Sequence, residues 1–447
     1  MLCSRRRIIL FGIGLIIASL LAYWLATQNE KRLLALDAKS GRVLWLAALS
    51  DRNSKLRNPV VANGRVFSGI ATKEVLQNSY NWQLTAFNAT SGRRIWQYSP
   101  NLRQGESRAK LDGVSTGLLA PYASEDSVYA SISIENGEDQ LVAIDAATGR
   151  QRWVIKREWS IFDKLGVVTV DNRVIIVSPE KDPTRIPIGK LPENKVMLRV
   201  LDARTATQVW QVKLNDIPYE DLFQGLNLPS VLVASDRTVF FKPGITRAYN
   251  LATGKLQFKI ADRNGDEIKL INSTLYSFGY GELSAFNAVT GDQLWTRGNA
   301  KNSNLTCAGK LGSPRRFQAS SKLVYVTCGI AGRKSIEDEG WLVALDTKNG
   351  SERWFKQVNS GYWDLFESLP ASNSESVFII RKTKNETGKI VAEILTLSAK
   401  NGAEIWKLRL KEEDFLQPPV TDGDRVFVID TAPRWRNWVA QLNPAWH

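Results

Sequence analysis

Leu34-Ala35-Leu36-Asp37-Ala38-Lys39-Ser40-Gly41-Arg42-Val43-Leu44-Trp45 reads as an apolar strand, an acidic corner, a glycine turn and a second strand ending on a large ring. The phrase returns along the chain. Further copies centre on Asn88/Gly92/Trp96, Asp145/Gly149/Trp153, Asp202/Trp210, Asn250/Gly254, Asn287/Gly291/Trp295, Asp346/Gly350/Trp354 and Gly402/Trp406. From Trp45 to Trp406 the mean spacing is about 52 residues, near that of sheet-based repeats arranged in a ring. The Asp or Asn side chain can bond the backbone of the turn that follows it. The Gly supplies a left-handed conformation. The Trp is large enough to fill a gap between neighbouring sheets.

Between these phrases lies a second, independent series of hairpins. They turn at Asn63-Gly64, Glu125-Asp126, Asp171-Asn172, Ser235-Asp236, Asn272-Ser273, Ser320-Ser321, Asn373-Ser374 and Asp422-Gly423. Both series number eight, which predicts an all-β, eight-bladed propeller of four-stranded antiparallel blades. The chain opens with half a blade, Leu33 to Leu46, and ends with the complementary half, Pro419 to Ile429. The termini are therefore expected to share one blade, leaving no open sheet edge. Leu34–Asp37 and Val439–Asn443 compete for its third strand. The expectation is that the C-terminal segment takes it, with Arg42–Ala47 outermost.

In an up-and-down blade, the first-to-second and third-to-fourth turns share one end of the ring. Here they are uniformly tight. The other two connections emerge at the opposite end and are long: 71–82, 99–117, 178–195, 213–228, 298–313, 330–340, 357–368 and 382–392. Long connections on a rigid scaffold are where binding usually resides. These connections, with an equivalent one holding Trp159 and Phe162, carry Tyr219, Phe223, Tyr362, Trp363 and Phe366, and Arg185, Arg315, Arg316, Arg333 and Lys334 lie in or beside them. Aromatic and Arg side chains are typical interface anchors, so these twelve residues are the candidate partner-binding face. The alternative for any one aromatic is that it merely covers the core beneath a loop.

The phrases Ala35-Leu36-Asp37-Ala38, Ala143-Ile144-Asp145-Ala146-Ala147-Thr148-Gly149 and Ala344-Leu345-Asp346-Thr347-Lys348-Asn349-Gly350 resemble the pyrroloquinoline quinone (PQQ) repeat family, from Leu33 to near the C-terminus. That family includes quinoprotein dehydrogenases and non-catalytic propellers, notably the lipoprotein of the barrel-assembly machinery. The dehydrogenase branch implies a quinone, a calcium ion and a carboxylate base. Its larger members also imply adjacent cysteines, and no Cys-Cys pair exists here. The single histidine, His447, excludes histidine-based catalysis or ligation within the propeller. Asp262-Arg263-Asn264-Gly265-Asp266-Glu267 departs from a calcium-loop pattern and reads as a turn. The chain is thus read as non-catalytic, without cofactor or metal. PQQ with calcium belongs to the alternative, an alcohol or sugar dehydrogenase. In the favoured reading Asp37, Gly41, Trp45, Trp96, Asp145, Gly149, Trp153, Trp210, Gly291, Trp295, Asp346, Gly350, Trp354 and Trp406 are structural.

Residues 8–27 contain no charge, follow Arg5-Arg6-Arg7 and are long enough to cross a bilayer as a helix. An uncleaved anchor is favoured over a cleaved signal peptide, since the span is long and no Ala-x-Ala site is evident. The division expected is 1–7 cytoplasmic, 8–27 transmembrane, 28–32 linker and 33–447 propeller, with the propeller extracytoplasmic, periplasmic in a bacterium. Cys307 and Cys328 would then face an oxidising compartment, where they form either a disulfide or two buried thiols. The net charge of +14 favours anionic partners. Behind a membrane anchor these are an acidic protein, a cell-wall polymer or a lipid surface rather than nucleic acid. The resulting expectation is a monomeric, membrane-anchored scaffold that binds or helps assemble another envelope protein.

Overall fold

The computed structural model describes residues 29–51, 55–56, 59–74, 79–100, 122–132, 139–157, 166–179, 196–214, 231–242, 244–262, 267–279, 282–298, 313–329, 340–358, 370–384, 390–410 and 418–433. They form eight antiparallel sheets, seven of four strands. The eighth has five, because Lys55–Leu56 and Val60–Ala62 pair end to end along Arg65–Glu74. Among the described residues no helix is long and apolar enough to cross a membrane. The span 8–27 lies outside them.

Blade one joins the termini. Its strands run Val43–Asp51, Asn29–Asp37, Arg425–Pro433 and Val420–Thr421 from rim to axis. The third-strand slot therefore belongs to Asn29–Asp37, not to Val439–Asn443, which lies outside the described residues. It pairs with Arg425–Pro433 at nine consecutive positions, from Asn29↔Pro433 to Asp37↔Arg425. The physical reason is local. Leu33, Leu34, Ala35 and Leu36 are all buried, and Asp37 leads through a tight turn into the outermost strand. Residues 29–32, expected as a linker, extend this strand. Two long connections also shrink: pairing continues to Glu74↔Ser79 and to Lys384↔Ile390, so only 75–78 and 385–389 intervene.

Blades two to eight follow in chain order, and each of the eight gaps between neighbours holds its own apolar cluster. One device repeats at seven of the eight gaps. The outermost strand's Trp donates its indole N–H to a backbone carbonyl of the next blade. Trp45 reaches Ala89 O at 3.0 Å, Trp96 Ala146 O at 3.0 Å and Trp153 Ala203 O at 2.8 Å. Trp210, Trp295, Trp354 and Trp406 do the same to Leu251, Thr347, Ala399 and Ala38. The last of these crosses from blade eight to blade one and closes the ring.

The ring of each Trp except Trp153 lies on the corner glycine of the next blade. A Cβ added to Gly92 would fall 2.5 Å from Trp45 Cδ2, and one added to Gly41 2.5 Å from Trp406 Cδ2. Both glycines also have positive φ, 68° and 71°. The position thus needs Gly twice over, for backbone conformation and for space. Within a blade the same Trp tilts over a small residue of the third strand toward an aromatic of the second. Trp96 sits opposite Ala86, which sits opposite Phe67, with ring centroids 5.8 Å apart. Six blades show this row; blade five has Phe240, Ala248 and Phe258, and blade four Ile175, Val200 and Trp210.

The corner carboxylates cap the turn they begin. Asp37 accepts from the backbone N of Ser40 at 2.8 Å and its Oγ at 2.7 Å, which holds its carboxyl below the usual range. The Arg152 guanidinium, reinforced by Thr148, brings Asp145 down to about 2 against the upward push of burial.

Two expectations follow. Gly92→Ala should cost at least about 2 kcal/mol by urea unfolding, from a left-handed alanine and the collision with Trp45. Ala206 already occupies that corner in blade four with φ 60°, so Ala206→Gly should gain about 0.5 kcal/mol. For pH, a depressed carboxyl contributes stability that is complete above its unfolded pKa, about 4, and lost as the folded value is approached. Asp145→Asn should therefore lower Tm at pH 7 and flatten its fall between pH 4 and about 2, read by scanning calorimetry.

Candidate functional site

Strand direction decides which end of the ring can carry a site. The first-to-second and third-to-fourth turns are short and hydrogen-bonded, as at Gly41 N to Asp37 O and Ser124 N to Ser127 O, and all lie at one end. The opposite end receives the connections that the sequence makes long. Of the twelve candidate partner-binding residues, Trp159, Phe162, Arg185, Tyr219, Phe223, Arg333, Lys334, Tyr362, Trp363 and Phe366 lie outside the described residues. Arg315 and Arg316 sit at the loop-side start of strand Ser313–Ala319 in blade seven, where the register shifts between Pro314↔Cys328 and Arg316↔Thr327. The same end of that blade holds Cys328, which is fully buried and disulfide-bonded. Cys307 lies outside the described residues.

Beneath this face runs a layer of buried charge. Lys242 is fully buried at the end of blade five's second strand. Its Nζ lies 2.5 Å from Asp262 Oδ2 and donates to the Asp262 carbonyl at 2.8 Å. Asp262 also accepts from Thr246, from its N at 3.0 Å and its Oγ1 at 2.9 Å. The turn-like reading of the segment opening at Asp262 thus has a partner set that sequence alone does not reveal. In blade eight, Arg381 and Glu393 are directly opposite across two strands, and Arg381 Nε donates to Glu393 Oε1 at 2.6 Å. In blade one, buried Arg32 and Asp430 occupy directly opposite positions. On the inner strands Lys269 pairs with Glu267 at 3.3 Å and donates to Gln318 Oε1 at 2.8 Å and to the Phe317 carbonyl, tying blade six to blade seven.

These pairs lie near where the connections leave blades one, five, six and eight. The described carboxylates Asp262, Glu267 and Glu393 are each held by a cation of their own blade. Sequence reasoning weighed Asp262 and Glu267 only as parts of a turn and passed over the other residues of these pairs. The available signal was a charge in a strand slot that is otherwise apolar, five residues before the corner, as at Arg32 and Glu393.

A family model described as "Outer membrane protein assembly factor BamB" matches residues 14–112, 81–277, 271–385 and 338–437, most of the chain. No curated protein matches the sequence. Among solved structures, the chain is similar to BamB from Moraxella catarrhalis, at 16% identity over 84% of this chain and 96% of that one, with a TM-score of 0.48. It is similar to a quinohemoprotein alcohol dehydrogenase from Comamonas testosteroni, at 13% identity over 89% and 72%, with a TM-score of 0.48. A second such enzyme, from Pseudomonas putida HK5, gives 13% over 82% and 68%, with a TM-score of 0.46. Likenesses at this level add nothing to what the eight sheets already show.

The buried charge layer makes a prediction about the strand ends. Arg381→Met leaves Glu393 buried and unpaired, and should cost about 3–5 kcal/mol in urea unfolding. Adding Glu393→Leu should recover most of that loss, because two matched apolar groups need no partner.

Proposed function

The chain belongs to the PQQ-like family described as the outer membrane protein assembly factor BamB, and from that premise we propose that it is a non-catalytic scaffold, anchored by residues 8–27, that binds or helps assemble another envelope protein through its loop-bearing face. The observation that carries this reading is the division of labour between the two ends of the ring. Short capped turns close one end, while every long connection leaves from the other, above strand ends pinned by ion pairs such as Lys242–Asp262 and Arg381–Glu393. A rigid base under variable loops suits recognition of a protein surface better than chemistry on a small substrate.

The composition of those connections supports the same reading. Trp159, Phe162, Tyr219, Phe223, Tyr362, Trp363 and Phe366 supply large contact area. Arg185, Arg315, Arg316, Arg333 and Lys334, within a chain of net charge +14, suit an acidic partner. The anchor sequence, with Arg5-Arg6-Arg7 before it, supports a propeller outside the cytoplasm, in the periplasm of a bacterium.

In crosslinking from native membranes, the combined reversal Arg315→Glu, Arg316→Glu, Arg333→Glu and Lys334→Glu should reduce partner capture about tenfold at unchanged Tm. Capture that survives this change, but is abolished by substitutions among the tight turns, would place the interface at the wrong end. Saturable PQQ binding with calcium, accompanied by dye-linked alcohol or sugar oxidation, would overturn the non-catalytic reading.

A further inference from the structure

The chain enters blade one at the loop-bearing end. Strand Asn29–Asp37 runs into the tight turn to Val43, with Asp37 N donating to Arg42 O, so its first residue lies at the opposite end of the ring. Asn29 pairs there with Pro433, and the register continues without a shift to Asp37↔Arg425. Every residue from Arg32 to Leu36 is buried, so the strand cannot unzip to lengthen a tether. Only Gln28 stands between the uncharged stretch 8–27 and this strand. One extended residue covers at most about 3.6 Å, less than the depth of a headgroup layer, about 5–7 Å on each side of the hydrocarbon. With residues 8–27 in a bilayer, blade one therefore starts at the lipid surface. Asp37, eight residues on, is about 27 Å farther along the strand.

A single tether leaves the tilt of the ring free, and the outermost strands constrain it. On the loop side of the Trp or Phe, blades three, four, five, seven and eight each place a cation: Lys156, Lys213, Lys259, Lys356 and Arg409. Lys356 is half-buried and the other four are exposed. The strand stretches that carry them, 154–157, 211–214, 259–260, 355–357 and 407–410, contain no acidic residue. Toward the turn end the charges come in opposed pairs instead, with Arg152 on Asp145, Arg173 on Asp202 and Arg353 on Asp346. Blade six adds nothing to the collar, since Arg297 turns to the neighbouring corner and donates to Gly350 O at 2.7 Å. The collar includes blade eight, beside the tethered blade, and blade five, across the ring from it. Cations spread around the perimeter in this way interact most with an anionic plane when the ring lies flat on it.

Resting on the anchored reading of residues 8–27, we propose that the loop-bearing end lies against the anionic lipid surface of the membrane that holds the anchor, with this collar over the headgroups. Tether and collar are separate features of the chain, and both direct the same end toward the bilayer. The turn-bearing end points away from it. A protein captured by the long connections is then one embedded in that bilayer or lying on it.

The test uses the full chain reconstituted into vesicles of phosphatidylcholine and phosphatidylglycerol that carry nickel-chelating headgroups. Spin labels are introduced in blade four, on the far side of the ring from the tether, at Lys213→Cys on the loop side or at Arg204→Cys, an exposed corner of the turn end. Signals are taken relative to the chain without the added cysteine, and folding is checked by Tm. Nickel relaxation should be about threefold or more stronger at position 213 than at 204, because it falls steeply over the ~20 Å of strand between them. Omitting phosphatidylglycerol, raising salt to about 1 M, or combining Lys156→Glu, Lys259→Glu and Arg409→Glu should each shrink that difference. A difference that survives both neutral lipid and charge reversal would overturn the collar as its cause. Equal relaxation at the two positions, or stronger relaxation at 204, in a chain that floats with the vesicles would overturn the proposal while leaving the anchor in place. A chain that does not float with the vesicles at about 1 M salt would overturn the anchor and the proposal together.

Discussion

The ring depends on one contact made at seven of the eight gaps between blades: an indole from one blade lying on the corner of the next. Its N–H answers a carbonyl that the turn leaves pointing outward, a net contribution of about 1 kcal/mol at each of seven gaps. Its rings bury against a glycine that has no Cβ to obstruct them. Because Trp406 makes this contact with Ala38, the joint between the chain's two ends has the same chemistry as the other gaps. A closed ring built from like joints has no weak seam, and no sheet edge is left unpaired at the closure.

The departures show how the joint tolerates damage. Blade four replaces the corner glycine with Ala206, yet keeps the left-handed turn and the bond from Trp153 to Ala203. Blade five replaces the Trp with Phe258, which still covers Gly291 but has no N–H to give. Blade eight replaces the corner acid with Ser398, and its turn still closes through Gly402 N to Ser398 O at 2.8 Å. Each blade loses at most one component, and each gap retains its own apolar cluster. In a repeat structure stability is approximately a sum over neighbours, so a single imperfect joint is affordable.

The two ends of the ring use different physics. At the turn end, carboxylates bond backbone amides and indoles bond carbonyls, all within short sequence distances or one blade apart. At the loop end, charges are buried in pairs set by strand register. Such pairs contribute little net stability, but each member is costly to strand without the other. They therefore fix geometry where the connections begin.

The blade corner was legible in the sequence because its parts lie within twelve residues and recur at a regular spacing, as Asp37, Gly41 and Trp45 show. So was the sharing of one blade by the termini. The occupant of its third strand was not, since Leu34–Asp37 and Val439–Asn443 both carry apolar alternation. Nine-position pairing with Arg425–Pro433 decided between them. The indole acceptors, and the residues beneath and beyond each Trp in its row, lie on three strands or on separate blades, so no local pattern announces them. The same holds for Lys242 with Asp262 and Arg381 with Glu393. By itself the sequence determined the repeat, the number of blades and which end bears the long connections, because these follow from local turn chemistry and spacing. Only the tertiary structure decided which groups meet across gaps and registers, because burial and pairing of charge depend on contacts between residues distant along the chain.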